Sequence, residues 1–191
     1  KLLTGAGDAH GAERTLAVMF LDIRGFTSLS QAKLPYDVVF ILNRLFDFIG
    51  REIEAERGWI DKYLGDGLMA VFGRELGPEE GCRQALRAAR RIDLVLDRAN
   101  EELASELGGV PVQVGIGLHV GPMVIGEIGY RDTAAMTVIG RTVNAAARLE
   151  ALTKEEGCQL IASAQLMQLA GVGIERLAVK SAKVRGLDDP L

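Results

Sequence analysis

Two aspartates, Asp22 and Asp66, stand where a soluble chain has little reason to place a carboxylate unless it does chemistry. Asp22 follows the apolar run Ala17, Val18, Met19, Phe20, Leu21 and precedes Ile23, the pattern of a strand buried on both faces. A carboxylate near the end of such a strand is costly unless paired or ligated, so it asks for a cation or a strong donor. Gly25 then frees the backbone to turn, and Phe26, Thr27 and Ser28 open a helix whose first amides lack intrahelical partners. These residues fit a metal and phosphate corner; a carboxylate capping a helix at a strand end is the alternative for this stretch alone. Asp66 sits in Gly65-Asp66-Gly67, between two apolar runs, which is a strong hairpin signal.

A second group of polar residues lies later in the chain. Asn144 and Arg148 are four apart in a helical pattern, hence on one face, where together they could hold a sugar hydroxyl and a phosphate. A solvated helix face is the other reading of that pair. His119, in an apolar strand, reads as a core histidine, and Trp59 and Tyr63 read as hairpin packing. Cys82 and Cys158 show no CxxC or Cys/His spacing and read as buried, reduced thiols, which fits a cytoplasmic setting.

The elements that must position these groups follow from periodicity. Residues 1–14 are rich in Gly and Ala and read as a linker or lead-in, leaving residues 15–191 as one domain. A strand is expected at 15–23 and an amphipathic helix at 35–56, where Val38, Ile41, Leu42, Leu45, Ile49 and Ile53 recur at helical spacing. The hairpin at 59–72 follows, then a long helix at 78–107 and a strand at 112–120. That order, β-α-β-β-α-β, predicts an α+β fold with a ferredoxin-like core, an antiparallel sheet and helices on one face. Its first and third strands are neighbours, which brings Asp22 to the hairpin carrying Asp66. Two such carboxylates raise each other's pKa unless a divalent cation neutralises them, and all-oxygen ligation suits Mg2+ or Mn2+. A C-terminal α/β extension completes the domain. It comprises strand-like runs at 122–130 and 133–139, a helix at 140–153, a short strand at 158–162, a brief helix capped by Ser163, and closing strands at 174–184.

Composition narrows the partners. With 48% hydrophobic and 25% charged residues the chain is an ordinary globular domain, and its net charge of -4, without a polybasic run, argues against binding a nucleic-acid polymer. No segment is long and apolar enough to cross a bilayer. The chain begins without methionine and ends abruptly, so it is expected to be part of a longer protein, with any sensor or membrane region outside it.

With these pieces in hand, the chain resembles the class III nucleotidyl cyclase catalytic domain. The resemblance rests on FLDIRGFT at 20–27, DKYLGDGLMAVFG at 61–73, GIGLHVGPMVIGEIG at 115–129 and TVIGRTVNAAARLE at 137–150, four motifs in the family's order. It implies two domains paired head to tail, here a homodimer, with active sites across the interface. There ATP or GTP is converted to the cyclic monophosphate and pyrophosphate. It further implies that Asp22, Asp66 and the Ile23 carbonyl ligate two Mg2+ or Mn2+ ions, and that amides of Gly25, Phe26 and Thr27 hold phosphate oxygens.

From the partner chain, Asn144 resembles the residue that orients the ribose and Arg148 the one that stabilises charge on the reacting phosphate. Base choice falls to Lys62 and Thr137. In the family this lysine contacts adenine, and guanylate-forming relatives carry an acid instead. Thr137 replaces the more common aspartate, as in a threonine-type subgroup of adenylate cyclases, some of which respond to bicarbonate; its hydroxyl can still accept the adenine amino proton. Lys62 shares a strand face with Ile60 and Leu64, where a cation needs an acceptor. The last transition-state cation is assigned to Arg185, with Lys183 nearby. The expected activity is an adenylate cyclase; the alternatives are a catalytically silent nucleotide-binding regulatory domain and a guanylate cyclase.

Overall fold

A computed structural model describes residues 11–130, 134–175 and 177–181. Its core is the expected ferredoxin-like arrangement. Strand β1 (Ala12–Arg24) starts three residues before the expected strand, and its centre is buried on both faces. Two helices follow, α1 (Phe26–Gln31) and α2 (Pro35–Ala55), then the hairpin of β2 (Trp59–Leu64) and β3 (Gly67–Phe72). Helix α3 (Gly77–Glu102) gives way to a separate turn of helix, α4 (Ala104–Leu107), which Gly108 and Gly109 end in left-handed conformations at φ 68° and 78°. Strand β4 (Gln113–Ile128), β5 (Ala135–Ile139), α5 (Arg141–Glu155), β6 (Leu160–Ala162) and α6 (Ala164–Ala170) complete the chain. Ser163 caps α6 as expected, its hydroxyl accepting from the Leu166 amide.

The strands run in the order β2-β3-β1-β4-β5, with β6 pairing parallel to β4 and the other pairs antiparallel. Alternation divides β1 and β4 between two layers. Ala17, Met19, Leu21 and Ile23, with Val114, Ile116, Leu118 and Val120, form the main core beneath α2, α3 and α6. Leu16 and Val18 face the other way, into a smaller cluster with Met69, Val71, Met123 and Ala146 of α5.

The core helices α2 and α3 share one face, as expected, and α5 of the C-terminal extension lies on the opposite face. Glycines admit it: a Cβ at Gly117 would overlap the Glu150 amide and the Ala146 carbonyl, and one at Gly121 would stand 2.6 Å from Thr142 Oγ1. No side chain fits between strand and helix there, so α5 packs backbone to backbone on β4.

Two further expectations change. The runs at 112–120 and 122–130 are one long strand, because Pro122 faces a flank of β4 left unpaired between the β6 partner Leu118 and the β5 partner Val124. Its carbonyl accepts instead from Thr142 Oγ1 at 2.7 Å, so the missing N–H breaks no ladder bond. The closing strands expected at 174–184 are absent among the described residues of that stretch, which run without regular structure. Its remainder, with Lys183 and Arg185, lies outside the described residues.

Candidate active site

The acidic corner forms where β1 ends. Asp22 is paired with Gly67 on one side and Gly115 on the other, so both neighbours across the sheet lack a side chain. The hairpin turn is fastened to this point: the Ile23 amide donates to the Asp66 carbonyl at 3.2 Å. Burial raises the Asp22 carboxyl above the usual range, the charge of Asp66 raises it further, and Lys154 of α5 pulls it back. The strand order thus brings the Asp66 turn beside the end of β1 that carries Asp22.

A third carboxylate stands behind them. Glu150 of α5 occupies the space Gly115 leaves, with Oε1 2.8 Å from where a Cβ there would stand. Burial, reinforced by Asp22 and Asp66 and opposed by Arg24, pushes its carboxyl up to about 7. Arg24 donates to the Cys158 carbonyl, and its Nε is buried without a partner. Sequence reasoning passed over Glu150; the glycines at 115 and 117 were the available sign that a helix comes down onto that strand. Among the described residues no three His, Cys, Asp or Glu side chains converge in metal-holding geometry.

Gly25 turns the chain at φ 72°, the left-handed region that favours glycine, and the buried Phe26 ring anchors the start of α1. Nothing lies within 4 Å of where a Gly25 side chain would be, so the turn itself is open.

A second corner joins strands from the two ends of the sheet order. The Lys62 ammonium on β2 donates to Thr137 Oγ1 on β5 at 2.8 Å. Thr137 in turn donates to Asp61 Oδ2 at 2.8 Å, and Lys62 lies 3.1 Å from the same oxygen. A β-bulge between Ile60 and Lys62 makes this possible. Ile60 opposes Ala70 and faces the main core, whereas Lys62 opposes Met69 and faces the α5 side. Lys62 therefore does not share a face with Ile60, which corrects the sequence expectation, and the acceptor its charge needs is the adjacent Asp61. Period-two alternation hid that acceptor.

Asn144 and Arg148 are exposed on α5, while Ala145, Ala146 and Leu149 are buried, so the pair does share an outward face. Trp59 is covered by the Arg74 guanidinium, 4.6 Å from the ring centroid, and Tyr63 packs against Phe46 with the rings tilted by 46°. His119 is buried and bonded to Ser163, and Cys82 lies in the core with its thiol pushed up to about 11 by burial.

The site thus brings together a glycine-lined acidic corner on a ferredoxin-like sheet, a cation–hydroxyl pair on the same face and a polar outer face of α5. The chain belongs to the adenylate and guanylate cyclase catalytic domain family, whose model matches residues 10–189. It is 37% identical over 185 residues to an adenylate cyclase of Anabaena cylindrica, covering 93% of this chain and 36% of that protein. An uncharacterized Mycobacterium tuberculosis protein, Rv1318c, is 37% identical over 187 residues, covering 95% of this chain and 32% of the relative, so this chain spans about a third of these proteins. The crystal structure of the guanylyl cyclase Cya2 superposes with a TM-score of 0.83 at 28% identity, covering 94% of this chain and 90% of that one. The adenylyl cyclase CyaB from P. aeruginosa shares the fold, with a TM-score of 0.80 at 24% identity over 94% of this chain and 92% of that one.

Proposed function

We propose that this domain is an adenylate cyclase that converts ATP to 3′,5′-cyclic AMP and pyrophosphate, at sites shared across a head-to-tail homodimer. The observation that carries the choice of ATP is the Lys62–Thr137 pair. An ammonium and a hydroxyl can meet the ring nitrogen and the amino group of adenine, and the acid that guanylate-forming relatives place at position 62 is missing. The 37% identity to a protein described as an adenylate cyclase supports the same reading.

Asp22, Asp66 and the Ile23 carbonyl are the residues that would hold two Mg2+ or Mn2+ ions, and they fit them. The donors are all oxygen, and burial and like charge already raise Asp22 in a way a cation offsets. When bound, the ions supply Lewis-acid activation of the ribose 3′-hydroxyl and charge neutralisation of the triphosphate.

The chain's own groups do the rest. Amides of Gly25, Phe26 and Thr27 take phosphate oxygens at the open turn. From the other subunit, Asn144 orients the ribose and Arg148 offsets charge on the α-phosphate. Arg185 is the further cation assigned to the transition state, and Lys62 with Thr137 holds the base. The 3′ oxygen forms a bond to the α-phosphorus as the bond to the bridging oxygen of the β-phosphate breaks. Pyrophosphate leaves, and the 3′ proton passes to solvent.

The test is turnover of ATP and GTP, separately and in competition, with Mg2+ or Mn2+ across a protein dilution series. Cyclic AMP is the expected main product, with specific activity rising with protein concentration as monomers pair. Nucleotide binding without pyrophosphate release at high protein concentration would instead identify a silent regulatory domain, and a preference for GTP a guanylate cyclase.

A further inference from the structure

Among the described residues, Asp61 and Arg24 are the two with a buried side-chain polar atom that has no hydrogen-bond partner. The Asp61 side chain is 0% exposed, on a strand at the end of the sheet order, and its Oδ1 is the atom without a partner. A counter-ion serving only to neutralise Lys62 would be cheaper at the surface, where Lys62 itself is 42% exposed. The fold instead buries the carboxylate beneath both base-facing groups and reaches Thr137 through the bulge at position 61.

The hydrogen-bond directions show what this does. A threonine hydroxyl has one proton and two lone pairs. Here the proton goes to Asp61 Oδ2, and one lone pair accepts from Lys62 Nζ, both at 2.8 Å. A carboxylate beside an ammonium accepts and does not donate, so the hydroxyl cannot reverse. The second lone pair of Thr137 is what remains for a ligand. Lys62 donates one N–H to Thr137 and lies 3.1 Å from Asp61 Oδ2 as an ion pair.

We propose that Asp61 is a positioning residue that sets base specificity. By taking the Thr137 proton, it fixes that hydroxyl as an acceptor for the exocyclic amino group at purine C6 and against a carbonyl there. The threonine then acts as a relayed aspartate, with the carboxylate one hydrogen bond behind the contact. This inference rests on the reading of the domain as an ATP-using cyclase.

The test compares kcat/KM for ATP, GTP and purine riboside triphosphate, which lacks the amino group, in wild type and in Asp61→Ala, Thr137→Val and the double variant. Wild type is expected to prefer ATP over both competitors. Asp61→Ala frees the hydroxyl to rotate and donate, so both preferences fall about tenfold, mainly through GTP and purine riboside triphosphate gaining on ATP. In the Thr137→Val background, removing Asp61 changes the preferences no further, because the relay has already lost its hydroxyl. Asp61→Ala combined with Thr137→Asp, which supplies the acceptor directly, restores them and shows that a folded protein underlies the loss. A wild-type domain that does not prefer ATP overturns the reading beneath the inference and the inference with it. A wild type that prefers ATP, with Asp61→Ala slowing all three substrates alike, overturns the inference alone.

Discussion

Gly67 lies directly across the sheet from Asp22, and a side chain there would bring its Cβ to 3.1 Å from Asp22 Oδ1 and 2.6 Å from the Leu21 carbonyl oxygen. The second contact is with backbone, which cannot swing aside. Gly67→Ala is therefore expected to displace the end of β1, costing about 1–3 kcal/mol of stability and most of the cyclase activity. Gly65→Ala is the control: nothing lies within 4 Å of a Cβ there, so its cost is limited to the left-handed backbone at φ 68°. Urea unfolding and turnover of the two variants check the difference.

The acidic corner is held at the expense of stability. Burial and the charge of Asp66 both raise the Asp22 carboxyl, and Glu150 feels both aspartates. Asp22→Asn and Asp66→Asn should each raise the melting temperature of the chelator-treated domain near neutral pH by about 2–4 °C, while abolishing turnover. Added Mg2+ or Mn2+ should stabilise wild type and leave both variants unmoved.

Much of this arrangement was legible in the chain because it is local or periodic. The alternating apolar residues of β1, the glycine-flanked Asp66 and the helical spacing of α2 led to the strand order, and the strand order to the placing of the Asp66 turn beside Asp22. What escaped is set by tertiary contacts. The bulge at Asp61 replaces strict alternation, so the partner of Lys62 was invisible to a period-two reading. The face of β4 carrying Gly115, Gly117 and Gly121 has no apolar pattern, yet it seats α5 and brings Glu150 to the corner. The split expected between the runs at 112–120 and 122–130 is absent, because the flank of β4 that Pro122 faces is unpaired.

His119 couples the fold to acid. Ser163 Oγ accepts from the Leu166 amide and can give its own proton to His119 Nδ1, which fits a neutral ring. Burial lowers the His119 pKa from 6.5 to about 4. The unfolded chain takes up the proton first, so stability held above the unfolded value is lost progressively as pH falls from there toward the folded one. The loss reaches about 3 kcal/mol at most. His119→Gln should flatten this slope, seen as a smaller difference in urea midpoint between about pH 7.5 and about pH 5 than in wild type.

A Cβ at Gly117 would overlap the backbone of α5 at Ala146 and Glu150 and stand 2.8 Å from Glu150 Cα. Gly117→Ala should therefore push away the helix that carries Asn144 and Arg148, destabilising the domain by about 3 kcal/mol or more. Its activity loss should persist at temperatures where the domain is still folded by circular dichroism.

The claim that each active site draws on two subunits is tested most directly by mixing two inactive variants, Asp66→Ala and Arg148→Ala. One lacks an acid proposed to hold the metal ions and the other the cation on α5. Their heterodimer contains one site free of both substitutions, so the mixture should recover cyclic AMP formation approaching a quarter of the wild-type rate if subunits pair at random. A mixture as inactive as its two components, with heterodimer present by native mass spectrometry, would contradict the account.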